Sequence, residues 1–244
     1  MQDIYIMVPA RIESSRFPSK PLAKINNKEM LVRVLDRCKG RFKLFAVVNS
    51  QILVELVESY GFESILIKDN CDTGTDRIAK AVKKLNLHKD SIIINVQGDE
   101  PLIDYEMINK VIKKKIEQPD KVINAVSNIN SQLEFESKSV IKMVFNKYSD
   151  LLFASRSPIP SNKGDNDYKN KYKQTCIYAF SVNQLMDFAK SKRGPLEKSE
   201  DIEILRFIEQ NLYQVSTVDL GNNNLHAVDY PSDIKIVENI LNND

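Results

Sequence analysis

The chain has 244 residues, of which 42% are hydrophobic and 28% are charged, and its formal net charge is only +2. This length suits one large α/β domain or two small ones, and no linker-like stretch forces a division, so we expect a single domain over residues 1–244. The longest apolar runs are far shorter than the ~20 residues that span a bilayer, and the small net charge provides no wide basic surface. The composition therefore argues against a membrane protein and against a nucleic-acid-binding protein.

The N-terminus, the cysteines and the lysine pattern predict an ordinary cytoplasmic protein. The first residues, MQDIYIMVPA, contain no basic leader or signal-peptide core. Cys38, Cys71 and Cys176 are scattered and form no Cys-x-x-Cys pair, which favours reduced thiols over a disulfide framework or a zinc site. The dense basic run KVIKKKIEQ has the spacing of a solvated helix face that ends near Pro119. We therefore expect no nucleic-acid partner and no membrane partner.

Short β-branched runs alternate with amphipathic segments in the first half of the chain. The predicted strands are IYIMV, LFAVV, SILI and IIINV, and the predicted helices lie near 30–38, 52–60, 76–85 and 104–116. This alternation is the βαβ signature of a largely parallel sheet, and the continuous apolar strands indicate burial on both faces. Ligands of open α/β sheets bind at the carboxyl ends of strands, so we expect the chemistry in the loops PARIESSRFPSKP and QGDEP.

The second half of the chain is less regular. VINAVSNI, VIKMVFN, LLFASR and TCIYAFS are predicted strands with few helices between them, and SEDIEILRFIEQ and PSDIKIVENIL are predicted helices. PSNKGDNDYKNKYK is polar and aperiodic, so it is predicted to be a long loop. The fold class is therefore α/β, with a parallel core and an added antiparallel extension.

The stretch PARIESSRFPSKP, directly after the first predicted strand, is the first candidate site. The chain has neither a G-x-G-x-x-G nor a G-x-x-x-x-G-K-[ST] motif. A turn in which cations converge can hold polyphosphate instead, because planar guanidinium groups bind phosphate oxygens bidentately. The cations of this stretch are Arg11, Arg16 and Lys20, and three prolines restrict its backbone. A solvated surface turn is the alternative, and the position after a strand favours the phosphate site.

Two aspartates that follow predicted strands form the second candidate site. Asp99 comes after IIINV, with Gly98 permitting a close backbone approach, and Asp229 lies in HAVDYPSDI. Magnesium keeps most of its waters and takes one or two carboxylates plus substrate phosphate oxygens, so this pair suits that ion. The alternative for each is a capping or turn aspartate, and Asp233 is assigned to the first turn of the following helix.

The motifs PARIESSRFPSKPL, GTDRI, NVQGDEP, SRSPIP, PLEKSEDIEILR and VDYPSDI occur in this order along essentially the whole chain. Together they closely resemble the cytidylyltransferases that activate 3-deoxy-manno-octulosonate (Kdo). The resemblance implies a homodimeric, single-domain, three-layer nucleotidyltransferase fold with a mostly parallel mixed sheet and an antiparallel extension. It also implies transfer of CMP from CTP to the anomeric hydroxyl of a sugar acid, with Mg²⁺ as cofactor and lipopolysaccharide biosynthesis as the expected context.

The resemblance further implies roles for individual residues. The implied nucleotide-binding residues are Pro9, Ala10, Arg11, Arg16, Lys20, Arg77 and Gln97, with Gln97 expected between the two substrates. The implied metal ligands are Asp99 and Asp229, which form the catalytic set together with Lys20 and Arg11. The implied sugar-acid contacts are Arg156, Gln174, Tyr178, Glu203 and Ile204. No catalytic role is assigned to His226.

In the implied reaction the anomeric hydroxyl attacks the α-phosphorus of CTP in line while pyrophosphate leaves. Magnesium on the two aspartates would orient the hydroxyl, and the cations of the first loop would stabilise the leaving pyrophosphate. No protein nucleophile is required.

The chain departs from the family at positions expected to face the sugar acid. Gln174 and Cys176 stand where the family commonly has histidine and glycine, and Ile204 stands where it commonly has glutamine. These changes in hydrogen-bonding groups predict a modified Kdo, such as an 8-amino analogue, or another ulosonic acid as the substrate, with Kdo itself the first candidate, and neutral substitution is the alternative. A nucleotidyltransferase acting on a sugar phosphate, and a nucleotide-binding regulatory protein that has lost catalysis, also stay open.

Overall fold

The computed structural model describes residues 2–14, 16–163 and 168–243, which divide into two compact units. The first unit is Met1–Asn109 together with Asn224–Asp244, and the second is Lys110–Asn223. Residue 15 of the basic stretch and residues 164–167 of the predicted polar loop lie outside the described residues. Within the described ranges, no helix is both long enough and apolar enough to cross a membrane.

A parallel sheet forms the centre of the first unit. The strands of this unit are β1 (Ile4–Ala10), β2 (Lys24–Ile25), β3 (Lys28–Glu29), β4 (Lys43–Val48), β5 (Glu63–Leu66) and β6 (Ile92–Val96). β1 pairs in parallel with β4 and β6, and β4 pairs in parallel with β5, whereas β2 and β3 form a short antiparallel hairpin. β6 is buried along its whole length, as its continuous apolar sequence predicts. The predicted parallel core is confirmed, so the carboxyl ends of these strands meet at one edge.

The helices of the first half lie close to their predicted positions. They are α1 (Met30–Cys38), α2 (Gln51–Ser59), α3 (Gly74–Lys84) and α4 (Tyr105–Glu117). α3 begins with a capping box, in which the Thr73 hydroxyl accepts from the Asp76 N–H and the Asp76 carboxylate accepts from the Thr73 N–H. This cap fixes where α3 starts.

The prediction that the lysines of α4 form a solvated face is wrong for Lys115. This side chain is only 1% exposed, and its ammonium donates 2.6 Å hydrogen bonds to the Pro119 and Lys121 carbonyls and to Gln184 Oε1. The long side chain of Lys115 reaches past the end of the helix and contacts carbonyl groups of the chain that follows. Helical periodicity does not predict this contact. Burial lowers the pKa of Lys115 to about 8.

The second unit contains the antiparallel extension. Its elements are β7 (Val122–Asn128), α5 (Gln132–Glu136), β8 (Lys142–Phe145), β9 (Leu151–Ser155), β10 (Tyr172–Ser181), α6 (Val182–Lys190), α7 (Pro195–Glu200), α8 (Leu205–Glu209) and β11 (Val215–Asp219). β10 pairs antiparallel with β7 and β8, and β8 pairs antiparallel with β9. β11 pairs with β7 in parallel. The mixed α/β fold class with an antiparallel part is therefore confirmed.

Two details of the second half differ from the prediction. The single helix expected over 199–210 is interrupted, because Asp201 has a left-handed backbone with φ 51° and ends α7 there. α6 was not predicted, although Ser181 and Gln184 form a capping box of the S-x-x-Q type that marks a helix start in sequence.

The last segment of the chain belongs to the first unit. It forms α9 (Pro231–Asn243), and Glu238 of this helix accepts a 2.8 Å hydrogen bond from the Asn26 N–H. Asp233 caps the helix, because its Oδ2 accepts from the N–H groups of Asp229 and Tyr230 at 2.8 Å each. The predicted position of Asp233 in the first turn of this helix is confirmed, and its cap holds the backbone of Asp229.

Candidate active site

The carboxyl ends of β1 and β6 approach each other very closely. A Cβ atom added at Gly98 would lie 2.8 Å from the Pro9 carbonyl oxygen, which is closer than real Cβ atoms pack. Only glycine therefore fits here without moving backbone. This close approach brings Asp99 beside the loop that follows β1.

A cavity in the first unit opens at these strand ends. All seven residues predicted to bind the nucleotide line it, and so does Asp99. They come from the ends of β1 and β6, from the loop after β1 and from α3. The parallel sheet thus brings together side chains that are far apart in sequence.

The basic loop after β1 is held by the neighbouring strand end. Asn49, directly after β4, accepts a 3.0 Å hydrogen bond from the Ile12 N–H and donates to the Glu13 carboxylate. A hydrogen bond from its own backbone and the one from Asn49 lower the pKa of Glu13. Sequence reasoning missed Asn49, although a polar residue at the carboxyl end of a parallel strand was an available signal.

Lys20 and Arg16 of this loop reach the two predicted metal ligands. Lys20 Nζ lies 2.6 Å from Asp99 Oδ2 and 3.9 Å from Asp229 Oδ1, and it donates to the Val228 carbonyl at 2.9 Å. Arg16 Nη2 lies 2.9 Å from Asp229 Oδ1. The structure therefore brings both aspartates and two of the three predicted cations into one cluster.

The Asp229 carboxyl group lies in a less polar environment than the Asp99 carboxyl group. The side chain of Asp229 is 17% exposed, against 31% for Asp99. Burial, followed by the charge of Asp99, raises the pKa of Asp229, and the nearby Lys20 and Arg16 act in the opposite direction. Two carboxylates held close together in this way favour an added cation.

Arg77 and Arg11 lie in different environments. Arg77, on α3, is 5% exposed and donates from Nη1 to the Ile67 carbonyl at 2.7 Å. Burial is the main cause that lowers the pKa of Arg77. Arg11 is exposed at the cavity wall. Arg77 thus shapes the cavity wall, and Arg11 has the exposure that a ligand contact needs.

The donor set of the acidic pair matches a hard divalent cation. Carboxylate oxygens are the ligands that magnesium prefers, and the ammonium of Lys20 already lies on this pair, which shows that a cation fits there. Within residues 2–14, 16–163 and 168–243, no group of three or more His, Cys, Asp or Glu side chains could hold a metal. A metal on this pair would therefore need further oxygens from substrate and water.

In the second unit, the guanidinium of Arg156 donates to main-chain carbonyls. Its Nε donates to Glu200 at 2.6 Å, its Nη1 to Lys138 at 2.9 Å and its Nη2 to Asp201 at 3.1 Å. The buried Lys142 in turn donates to the Arg156 carbonyl at 2.5 Å. Arg156 thus joins three segments of this unit.

Gln174 and Cys176 lie at an irregular point of β10. The pairing of β10 with β7 shifts register between Thr175 and Tyr178. The buried side chain of Asn124 donates to the carbonyls of Thr175 and Ile177 at 3.1 and 3.2 Å, and Gln174 Nε2 donates to Asn124 Oδ1 at 2.8 Å. Asn124, which sequence reasoning missed, therefore orders this bulge and sets the orientation of the Gln174 amide.

The remaining predicted sugar-acid contacts differ in exposure. Glu203 is partly exposed, whereas Tyr178 and Ile204 are 3% and 1% exposed. The burial of Ile204 leaves its side chain no exposed surface for a ligand. In the same motif Arg206 forms a bidentate ion pair with Glu197, with both N–O distances 2.7 Å and both side chains buried. The motif PLEKSEDIEILR therefore contains a buried ion pair that stabilises the structure, in addition to any residues that bind a ligand.

The parallel sheet carries cations and Asp99 at its strand ends. Asp229 lies in the irregular segment before α9 and not directly after a strand, so its predicted strand-end setting is wrong, and the chain returning from the second unit brings it to Asp99. This arrangement is typical of an α/β enzyme that handles a phosphorylated ligand. The model of the family described as "Cytidylyltransferase" matches residues 5–218. A 3-deoxy-manno-octulosonate cytidylyltransferase of Thermodesulfovibrio yellowstonii is 35% identical over 97% of each chain. An 8-amino-3,8-dideoxy-manno-octulosonate cytidylyltransferase of Shewanella sediminis is 34% identical over 98% of each chain.

A solved structure of a CMP:2-keto-3-deoxy-manno-octonic acid synthetase, complexed with CTP, is similar over 99% of each chain with a TM-score of 0.86 and 28% identity. The chain therefore belongs to the cytidylyltransferase family of nucleotidyltransferase enzymes. The resemblance that the motifs predicted is confirmed.

Proposed function

We propose that the protein transfers CMP from CTP to the anomeric hydroxyl of a 3-deoxy-ulosonic sugar acid, with Kdo as the first candidate, and releases pyrophosphate. The observation that carries this proposal is the cluster of Lys20 and Arg16 with Asp99 and Asp229 at the cavity of a cytidylyltransferase chain. The two relatives, a cytidylyltransferase for Kdo and one for its 8-amino analogue, support the substrate class.

The basic loop is proposed to hold the triphosphate of CTP. Arg11, Arg16 and Lys20 supply positive charge where the leaving pyrophosphate develops negative charge. The hydrogen bonds that Asn49 accepts from Ile12 and donates to Glu13 hold the start of this loop, so the cations need little reorganisation when the nucleotide binds. Pro9, Ala10, Arg77 and Gln97 form the cavity wall around it.

Asp99 and Asp229 are proposed to hold the magnesium ion. When bound, this ion would polarise the α-phosphate and lower the pKa of the attacking hydroxyl. The chain holds both carboxylates in place through main-chain contacts, because Asp233 caps the backbone at Asp229 and the Val228 N–H donates to the Asp99 carbonyl at 2.9 Å.

The sugar acid is proposed to contact residues of the second unit, with the partly exposed Arg156, Gln174 and Glu203 as candidates, whereas Tyr178 and Ile204 are buried. The orientation of Gln174 favours a second candidate substrate, an 8-amino sugar acid. Asn124 Nδ2 already donates to main-chain carbonyls, so Gln174 has to turn its Nε2 towards Asn124 Oδ1. Gln174 Oε1 is then left as a hydrogen-bond acceptor for the substrate. An acceptor on the protein pairs with an amino group on the sugar, which donates, and does not pair with a sugar group that can only accept.

The remaining expectations stay part of the proposal. We infer one cytidylyltransferase domain, because the family model runs from residue 5 to residue 218 across both units. A homodimer and a place in lipopolysaccharide biosynthesis are proposed from the family resemblance, and a cytoplasmic location is proposed from the scattered cysteines, which favour reduced thiols.

Release of pyrophosphate from CTP, measured with a panel of acceptors, tests the proposed function. The panel contains Kdo, 8-amino-3,8-dideoxy-Kdo, a nonulosonic acid and a sugar phosphate. We expect release with one of the first two and little with GTP or ATP in place of CTP. Release only with the sugar phosphate would contradict the proposal in favour of the alternative enzyme, and binding of CTP without any release would favour a regulatory protein.

A further inference from the structure

The ammonium group of Lys20 lies on the carboxylate oxygens that a divalent cation would use. Its Nζ is 2.6 Å from Asp99 Oδ2 and 3.9 Å from Asp229 Oδ1. A third contact, to the Val228 carbonyl at 2.9 Å, fixes the direction of the side chain. Lys20 therefore faces the acidic pair, whereas a lysine that binds a triphosphate has to face phosphate oxygens.

The main chain at Lys20 is held in place. Ser19, directly before it, has a left-handed backbone with φ 54°, and Lys20–Leu22 forms a 3-10 turn that includes Pro21. The Lys20 N–H donates to the Phe17 carbonyl at 3.1 Å. A change of partner would therefore take place by rotation of the flexible four-carbon side chain.

A divalent cation and the Lys20 ammonium compete for the same oxygen. Magnesium binds carboxylate oxygens at about 2.0–2.1 Å, so an ion on Asp99 Oδ2 would lie within a few ångströms of an ammonium that stays on that atom. Like charges at this separation repel strongly in a partly buried site. The side chain of Lys20 is 15% exposed, so water screens this repulsion only in part.

We propose that Lys20 is a built-in counter-cation of the acidic pair, which the incoming metal displaces and thereby releases towards the triphosphate. This inference rests on the proposed function. Metal binding to the free enzyme is weakened by the lysine that has to leave, and it is strengthened when CTP offers that lysine a new partner. Lys20 thus couples the binding of metal and nucleotide, and each of these ligands raises the affinity for the other.

The test compares binding of Mn²⁺ to metal-stripped wild type, Lys20→Gln and Lys24→Gln without nucleotide, by electron paramagnetic resonance. Glutamine retains a donor for the Val228 carbonyl but has no charge. We expect Lys20→Gln to bind Mn²⁺ roughly tenfold more tightly than wild type, because no cation has to be displaced. Lys24 is the matched control, since its side chain is 62% exposed and pairs with Glu29 at 3.7 Å, so Lys24→Gln should equal wild type.

A second measurement uses the affinity for CTP with and without Mn²⁺, under conditions without sugar acid. We expect Mn²⁺ to tighten CTP binding by a larger factor in wild type than in Lys20→Gln. Equal or weaker Mn²⁺ binding by the folded Lys20→Gln protein would overturn the counter-cation role even if wild type releases pyrophosphate as proposed. Tighter Mn²⁺ binding by this variant, with no pyrophosphate release by wild type, would instead overturn the proposed function alone.

Wild-type protein provides a readout if Lys20→Gln does not fold. The lysine side-chain signals are followed by nuclear magnetic resonance during a Mg²⁺ titration, with Lys20→Arg identifying the Lys20 signal. We expect Mg²⁺ alone to shift the Lys20 signal and to leave the Lys24 signal in place. A Lys20 signal that does not respond to saturating Mg²⁺ would overturn the proposal.

Discussion

The Val228 N–H donates a 2.9 Å hydrogen bond to the carbonyl oxygen of Asp99, and this bond joins two chain segments that are far apart in sequence. Asp229 follows directly, so a main-chain contact sets how closely the two carboxylates approach. The backbone positions of the acidic pair are therefore fixed by a main-chain contact, as the preorganisation of a binding site requires.

Replacement of either carboxylate is expected to abolish turnover. Asp99→Asn and Asp229→Asn each remove one carboxylate of the proposed metal pair, and we expect a loss of roughly a hundredfold or more in kcat, as for other single electrostatic contacts to a transition state. Pyrophosphate release at saturating Mg²⁺ and CTP is the measurement. Near-normal activity of either variant would contradict the assignment of that aspartate.

Asp229→Asn is expected to lose activity without losing stability. The pKa of Asp229 is raised in the folded protein, so above its unfolded value of 3.8 the charged carboxylate opposes folding. An uncharged amide removes this opposition at pH 7. Urea unfolding in EDTA should therefore give Asp229→Asn a free energy of unfolding at least equal to that of wild type, and a clearly lower value would refute the argument.

Gly98→Ala is expected to destabilise the protein more than Gly74→Ala. The new Cβ at position 98 would lie 2.8 Å from the Pro9 carbonyl, which is backbone, so we expect a loss of about 1–3 kcal/mol in the free energy of unfolding. At position 74 the nearest atom is the side-chain amide oxygen of Gln97, which can rotate away. Urea unfolding of both variants checks this order, and equal losses would contradict it.

Asn49→Ala is expected to weaken the use of CTP while leaving the fold intact. The variant removes the hydrogen bonds that hold Ile12 and Glu13, so the cations of the basic loop lose part of their preorganisation. We expect kcat/KM for CTP to fall roughly tenfold, mainly through a higher KM. Asn242→Ala is the control, because Asn242 is an exposed residue of α9 whose side chain accepts a 3.0 Å hydrogen bond from Asn26, far from the basic loop in the chain. An unchanged KM in Asn49→Ala would show that the loop needs no such anchor.

Lys115 is expected to make stability depend on alkaline pH. Its pKa falls from 10.5 in the unfolded chain to about 8 in the folded protein. Between these values the unfolded chain binds more protons, so this group favours folding increasingly as the pH rises through that window. The free energy of unfolding of wild type minus that of Lys115→Met should therefore increase from pH 8 to pH 10, by on the order of 1–3 kcal/mol.

Lys113→Met serves as the control for Lys115→Met, because Lys113 is an exposed residue of the same helix. Its effect on stability should not change over this pH range. A pH-independent difference for Lys115→Met would show that Lys115 stays fully charged in the folded protein.

Gln174→His is expected to shift the choice of sugar acid. Histidine would replace the acceptor oxygen that Asn124 now directs, so an amino group on the substrate would lose its partner. We expect the ratio of kcat/KM for the 8-amino analogue to that for Kdo to fall roughly tenfold. An unchanged ratio would indicate that Gln174 carries no specificity.

The alternation of apolar strands and amphipathic helices was sufficient to predict the parallel core and the positions of its helices. The same pattern located the chemistry, because parallel strands place their carboxyl ends at one edge whatever the details of packing. All seven residues predicted to bind the nucleotide line one cavity for this reason. Local sequence thus determined the fold class and the nucleotide side of the site.

Only the tertiary structure decided which partners these side chains have. Lys20 lies on the acidic pair because segments distant in the chain supply the atoms around it, and Lys115 takes one of its three hydrogen-bond partners, Gln184, from a distant segment. Asn49 contacts the backbone of the loop after β1, and Asn124 contacts the backbone of β10, and no local spacing in the sequence records either relationship. The physical reason is that periodicity and turn chemistry operate within about a dozen residues, whereas burial, ion pairing and hydrogen bonding depend on which strands become neighbours.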